Sequence, residues 1–154
     1  MSRLELKIHP PFVLILFGVL AWFISNEIPS PVQIPELVSK LMAITLGVLG
    51  LTVIISAMFE FYRAKTTINP TKPSNTTSLV TRGIYRFTRN PMYLALLLFL
   101  TGWVMYLGNI IGMVVPFIFI AYISRFQIHP EEQILLSKFG EVYSSYYNEV
   151  KRWI

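Results

Sequence analysis

The sequence has no cysteine and no aspartate, only two histidines (His9 and His129), and only 14% charged residues. Without cysteine there can be no thiol nucleophile, disulfide or thiolate metal site, and nothing is said about redox compartment. With no aspartate and two distant histidines, a dedicated His–carboxylate metal site is not expected. The charged fraction lies well below the roughly 25% of soluble domains, while 54% of residues are hydrophobic and mean hydropathy is +0.57. These values describe one compact membrane domain over residues 1–154, with no internal repeat or low-complexity tract. The net charge of +5 fits cytoplasmic loops of a membrane protein. No basic run is interleaved with a stacking platform, so nucleic acid is not an expected partner. A signal-peptide cleavage pattern is also missing, because Trp22 and Phe23 stand where small residues belong; the first apolar run is read as a retained helix.

Four apolar runs are present, Phe12–Ser25, Leu37–Tyr62, Pro91–Leu107 and Ile110–Phe126. About 20 apolar residues span a bilayer, and about 17 is the short limit. The expected fold is an all-α polytopic bundle of about four transmembrane helices plus a C-terminal amphipathic interfacial helix. Pro29, Pro31 and Pro35 mark the first connection, and Gly47 and Gly50 suit close packing of the second helix. Glu60 and Arg63, at i and i+3, read as an interfacial ion pair. Only Gly108-Asn109 and their neighbours separate the third and fourth runs, which must form a tight antiparallel hairpin that returns Phe126 and Arg125 to the depth of Asn90. Pro116 is a candidate kink. His129-Pro130-Glu131-Glu132 reads as a second helix start. Leu135, Phe139, Val142, Tyr143, Tyr146 and Val150 then recur at roughly helical spacing, interrupted at Gly140, with Arg152 and Trp153 as interfacial anchors.

Arg63, Lys65, Lys72, Arg82, Arg86 and Arg89 crowd the central loop, which is therefore expected in the cytoplasm together with both termini. The expected location is a prokaryotic inner membrane. In that loop, residues 66–78 read as irregular and 79–88 as a short interfacial helix. Asn90-Pro91 reads as the start of the third helix, with Asn as N-cap and Pro at the first helical position. Its positive dipole end and the neighbouring arginines suit an anion. A polybasic loop touching lipid headgroups uses the same residues.

Topology gathers Arg89, Asn90 and Tyr93 with Arg125, His129, Glu131 and Glu132 at one membrane face. Both charge signs, aromatic faces and a helix N-terminus there suit S-adenosylmethionine, whose carboxylate, ammonium and sulfonium would find Arg89 or the helix end, a glutamate, and tyrosine faces. A phospholipid headgroup fits the same residue types.

The segment Thr66-Thr67-Ile68-Asn69-Pro70, then Leu79-Val80-Thr81-x-Gly83-x-Tyr85-Arg86-x-x-Arg89-Asn90-Pro91-Met92-Tyr93, followed by Glu131-Glu132-x-x-Leu135 and Phe139-Gly140-x-x-Tyr143-x-x-Tyr146, resembles the isoprenylcysteine carboxyl methyltransferase and phospholipid N-methyltransferase superfamily. The resemblance covers about the last 90 residues. It implies two scaffold helices in residues 1–62 and an S-adenosylmethionine-binding core in 63–154. It implies catalytic roles for Arg89, Glu131 and Glu132, and a cofactor site formed by Tyr85, Arg89, Asn90, Tyr93, Arg125, His129, Glu131 and Glu132. Gly102 joins that set through Thr101-Gly102-Trp103, a partial match to the family's Gly-x-Gly. The family's Arg-His-Pro-x-Tyr appears as Arg89-Asn90-Pro91-Met92-Tyr93, with the Asn of the phospholipid-modifying branch. The implied reaction is methyl transfer to a membrane-resident acceptor, either a prenylcysteine carboxylate or an aminophospholipid head. An amine or thiol acceptor would need Glu131, Glu132 or His129 as base. Other readings are a small thiol as acceptor, or a non-catalytic lipid-binding or assembly protein. Residue by residue, His129 also reads as a cap, Arg125 as a snorkelling cation, and Tyr143 and Tyr146 as packing.

The orientation gives a direct test, because any introduced cysteine is the only one. Ser74→Cys is expected to react with a membrane-impermeant thiol reagent only after the cytoplasmic face is opened. Labelling of sealed cells from outside would invert the topology.

Overall fold

The computed structural model describes residue 6 and residues 8–32, 34–65 and 78–154. Its helices are α1 (Pro10–Glu27), α2 (Glu36–Ala64), α3 (Pro91–Leu107), α4 (Val114–Ile123), α5 (His129–Phe139) and α6 (Glu141–Glu149). Turns of 3₁₀ helix lie at Gly83–Arg86 and Ile110–Met113, and a π-helical turn lies at Ser124–Ile128. No strand occurs among the described residues. The irregular reading of residues 66–77 lies outside them, as do Arg3, Lys7, Lys72 and Ser74. Three helical stretches are long and apolar enough to cross a membrane: Pro10–Glu27, Glu36–Ala64 and Ile110–Phe139. The 17 residues of α3 make a shorter apolar helix of about 25 Å. The fold is an all-α polytopic membrane bundle.

The distribution of side chains follows from lipid as solvent. Leu37, Leu41, Ile44, Val48, Leu51 and Ile55 all lie exposed on α2. So long an exposed apolar face is rare on a soluble monomer and costs nothing in a bilayer. The interior is built instead from α1, α3 and α4. Val13, Phe17 and Ala21 meet Leu96, Leu100 and Val104 and then Val115, Phe119 and Ile123, with the Phe17 and Phe119 rings edge to face at 5.5 Å.

Close approach of α2 and α3 depends on small residues, as expected where lipid supplies no hydrophobic drive between helices. A Cβ on Gly102 would stand 3.2 Å from the Ala43 carbonyl oxygen and 3.7 Å from the Gly47 amide nitrogen. Gly102 thus faces α2, where its missing side chain serves helix packing. A Cβ on Gly50 would press on the Phe99 ring at 2.9 Å. Ser39 adds a buried hydrogen bond from Oγ to the Met105 carbonyl at 2.6 Å.

The hairpin turn is held by Asn109. Its Oδ1 accepts from the Ile111 amide at 2.9 Å, and its Nδ2 donates to the carbonyls of Ser25 and Ile28. Gly108 takes φ +69, where a side chain would be strained. The fourth run opens as 3₁₀ helix, and Pro116 sits in the first turn of α4, where proline needs no donor.

The end of this run departs from the sequence reading. His129 does not begin a separate helix; backbone helicity continues from α4 through the π turn into α5. Pro130 lacks an amide hydrogen and its ring would collide with the carbonyl four residues back. The π turn widens the backbone there, with the His129 amide donating to Ser124 O. The Phe126 carbonyl, which proline cannot serve, accepts from the Leu6 amide at 3.1 Å. Gln127 Nε2 donates to the Ile8 carbonyl at 2.8 Å, so the segment before α1 is stitched to the turn. Gly140, at φ +54, separates α5 from α6 as expected.

Filling the α2–α3 contact tests the packing role. Gly102→Leu is expected to lower stability in detergent by about 1–3 kcal/mol, the usual cost of overpacking. A thermal unfolding midpoint equal to that of the parent would contradict the close contact.

Candidate functional site

Where α1 and α3 begin, the bundle encloses a cavity of about 310 Å³. His9, Pro10 and Pro11 form one wall, and Ile54 and Phe61 of α2 another. The segment before α3 contributes Leu79, Val80, Tyr85, Arg89 and Asn90, and α3 itself Pro91, Met92, Tyr93 and Leu96. Glu131, Glu132 and Leu135 of α5 and Tyr143 and Tyr146 of α6 close it. The lining is mainly apolar and aromatic with a few convergent polar groups, the usual make-up of a small-molecule site.

The two glutamates, adjacent in sequence, meet different surroundings. Glu132 accepts from Arg89 Nη2 at 3.0 Å through Oε1, and from Arg152 Nε at 3.1 Å and Nη2 at 2.6 Å. The side chains of Arg89 and Glu132 are 7% and 9% exposed, so this is a buried ion pair. Arg89 also donates from Nη1 to the Tyr147 carbonyl at 2.7 Å, and its guanidinium lies 3.7 Å above the Tyr147 ring centre. Its Nε is buried without a partner. Glu131 turns the other way and accepts a hydrogen bond from Tyr93 Oη at 3.0 Å. Among the described residues no salt bridge involves Glu131.

The C-terminal tail completes the polar rim. The Lys151 carbonyl accepts from the Arg89 amide at 3.0 Å, and the Arg152 carbonyl from Thr88 Oγ1 and Asn90 Nδ2. Trp153 Nε1 donates to Ser124 Oγ at 3.3 Å. On α6, Tyr146 Oη donates to the Tyr85 carbonyl at 2.7 Å, while Tyr85 packs edge to face on Phe61. Burial pushes the phenols of Tyr143 and Tyr146 well above their ordinary range, and the Glu132 charge adds to this for Tyr143. Both remain neutral donors at physiological pH. The Arg152 guanidinium is raised by its hydrogen bonds to Glu132.

Of the residues expected at the site, Tyr85, Arg89, Asn90, Tyr93, Glu131 and Glu132 line the cavity. Gly102, Arg125 and His129 do not. Arg125 and His129 are exposed on the outer side of the helical run, with Arg125 near the Phe126 ring and His129 beside Gln133 Nε2 at 3.2 Å. A helix turns about 100° per residue, so the positions flanking Gln127 and Ile128, which are buried, point outward. Asn90 stands at the N-cap position of α3, but its side chain gives no cap and goes to the tail. The interfacial helix expected at 79–88 is only the 3₁₀ turn Gly83–Arg86. Arg152 was read as an anchor, and it is instead the second cation on Glu132. The N-terminal wall, His9 to Pro11, carried no signal in sequence; it is brought in by the bonds of Leu6 and Gln127 described above.

A family model described as phospholipid methyltransferase matches residues 38–142, which include most of α2, all of α3 and the paired glutamates. An "Uncharacterized protein" of Haemophilus influenzae (strain ATCC 51907 / DSM 11121 / KW20 / Rd) is 48% identical over 63 residues, covering 41% of this chain and 100% of that protein. No solved structure matches.

Breaking the charge cluster has a readable outcome. Glu132→Gln leaves the buried Arg89 without its anion, a loss of about 3–5 kcal/mol for a buried pair. The tail should loosen with it, and faster tryptic cleavage after Lys151, together with a lower unfolding temperature, is the expected result.

Proposed function

The chain belongs to the phospholipid methyltransferase family, and from that membership we propose that it transfers a methyl group from S-adenosylmethionine to the amine head of a membrane phospholipid. The observation that carries the choice of acceptor is Glu131. It is a carboxylate on a largely apolar cavity wall, hydrogen-bonded by Tyr93 and matched by no cation among the described residues. Such a site attracts an ammonium and repels the carboxylate of a prenylcysteine. An ammonium head must lose a proton before its nitrogen lone pair can attack, and Glu131 is placed to receive it. Tyr93 holds that carboxylate in one orientation.

The lining also suits the methyl donor. S-adenosylmethionine, when bound, supplies the methyl on a sulfonium sulfur. Arg89 and Asn90 line the cavity and bring polar groups to it that suit a carboxylate or hydroxyl oxygen. No side chain caps α3, which leaves its first-turn amides open to an anion. The faces of Tyr85 and Tyr93 suit a sulfonium. The main charge of Arg89 is already answered by Glu132, so Arg89 acts chiefly by fixing α3, α5 and the tail around the cavity. The lysines and arginines of the central loop support a cytoplasmic position for this face.

The test is incubation with radiolabelled methyl donor and total membrane lipid, alongside a prenylcysteine and a small soluble thiol. Label is expected in the aminophospholipid fraction, and Glu131→Gln should lower kcat about 10²–10⁴-fold, the usual contribution of a general base. Label confined to the prenylcysteine or the thiol would overturn the acceptor, and no label from folded protein would overturn the activity.

A further inference from the structure

A second cavity, of about 330 Å³, lies between α1 and α3, lined by residues that include Leu14, Gly18, Trp22, Phe99, Leu100 and Trp103. It shares no lining residue with the first cavity, but its walls follow on along the same two helices. On α1, Pro11 leads by helical steps to Leu14, Gly18 and Trp22; on α3, Leu96 leads to Leu100 and Trp103. One stripe of each helix therefore runs from the polar cavity into the apolar depth of the bundle. From Leu96 to Trp103 the drop is about 10 Å at 1.5 Å per residue.

The chemistry of this seam is that of hydrocarbon. All its lining side chains are apolar or aromatic, and of the two indole N–H groups among them that of Trp103 is already bonded to the Gly18 carbonyl at 3.0 Å. Such a lining offers water few of the two to four polar partners it needs. The same bond limits the width, because α1 and α3 are bridged directly at Gly18. A second helix, about 10–12 Å across with its side chains, does not fit into a slot closed in that way. A single hydrocarbon chain does. The indole of Trp103 is fixed by this bond and by stacking on Tyr106 at 5.7 Å, so it forms a firm floor. Access is from lipid, since Ile15 and Val19 on the α1 edge are 62% and 58% exposed.

We propose that the α1–α3 seam holds one acyl chain of the lipid acceptor while its head occupies the cavity at Glu131, an assignment that rests on the methyltransferase reading above. Moving a hydrocarbon chain from water into such a seam is favourable. For a lipid already in a bilayer that gain is nearly nil, so the seam acts on placement more than on affinity. It fixes the head at the depth of the carboxylate, and Trp103 sets how much chain is accommodated.

The experiment uses the full chain in lipid nanodiscs containing a trace of phosphatidylethanolamine with a diazirine on one acyl chain. After photolysis, peptide mass spectrometry locates the label. The expected result is several-fold more label on α1 and α3 at the seam than on Leu41, Ile44 and Val48 of α2, which are comparably exposed to lipid. Gly18→Leu fills the slot from a position where a Cβ has ordinary room, 3.9 Å from Trp103. Ile15→Trp covers the mouth from an exposed position. Either variant should abolish the excess and leave the α2 label unchanged. Equal labelling of seam and α2 in the parent, or an excess that survives both variants, would overturn the proposal. Methyl transfer to phosphatidylethanolamine is measured separately in the same discs. Enrichment without transfer sustains the seam and removes the reaction, whereas transfer with even labelling removes the seam alone.

Discussion

A buried carboxylate shared by two guanidinium groups holds the functional end of the molecule together. Glu132 comes from α5, Arg89 from the turn before α3, and Arg152 from the tail after α6. An isolated buried charge costs several kcal/mol even after relaxation, so α5 cannot leave without stranding Arg89, and the other two elements each give up charge-assisted bonds to Glu132 if they leave. Arg89 ties in α6 as well, through the Tyr147 carbonyl and ring. The cluster also decides what its neighbour does. Successive residues on a helix point about 100° apart, so with Glu132 directed at the arginines, Glu131 is turned toward Tyr93 and the cavity. Two identical side chains in sequence thus become a structural anion and a chemically available one.

A second constraint comes from Pro130. A proline within a continuous helix removes one donor and pushes on the preceding turn. The chain answers with a π turn and gives the Phe126 carbonyl to the Leu6 amide. The segment before α1 therefore becomes part of the site wall for a backbone reason. Beyond this turn Glu131 and Glu132 line the cavity, while Arg125 and His129 remain outside.

The bilayer explains the remainder of the architecture. With lipid on the outside there is no benefit in hiding leucine or isoleucine, and α2 exposes both along its length. Helices associate through small residues and a few polar bonds, as at Gly102, Gly50 and Ser39. The α1–α3 pair lacks such a close seam over much of its length and is bridged by one indole–carbonyl bond. The gap left by that looser packing lies further along the same two helices that wall the polar cavity.

Much of this was legible in the sequence because it depends on local chemistry. The apolar runs gave the helices and the bundle, the Gly108-Asn109 step gave the hairpin, and Gly140 gave the break before α6. The hairpin also returned Arg125 and Phe126 to the depth of Asn90, since equal distances from a tight turn mean equal depth, and Glu131 and Glu132 follow a few residues further on. Which face of each helix turns inward was not legible. Arg125, His129 and Glu131 lie within one stretch of seven residues, and a single π turn decides their directions without leaving a mark in composition. Nor could the sequence show that Arg152 would fold back 20 residues to meet Glu132, or that Gly102 would face a helix instead of a ligand. Residue types and spacing determined the elements and their depth; the pairing of buried charges and the rotation of helices about their own axes, which arise only when distant segments pack, decided the site.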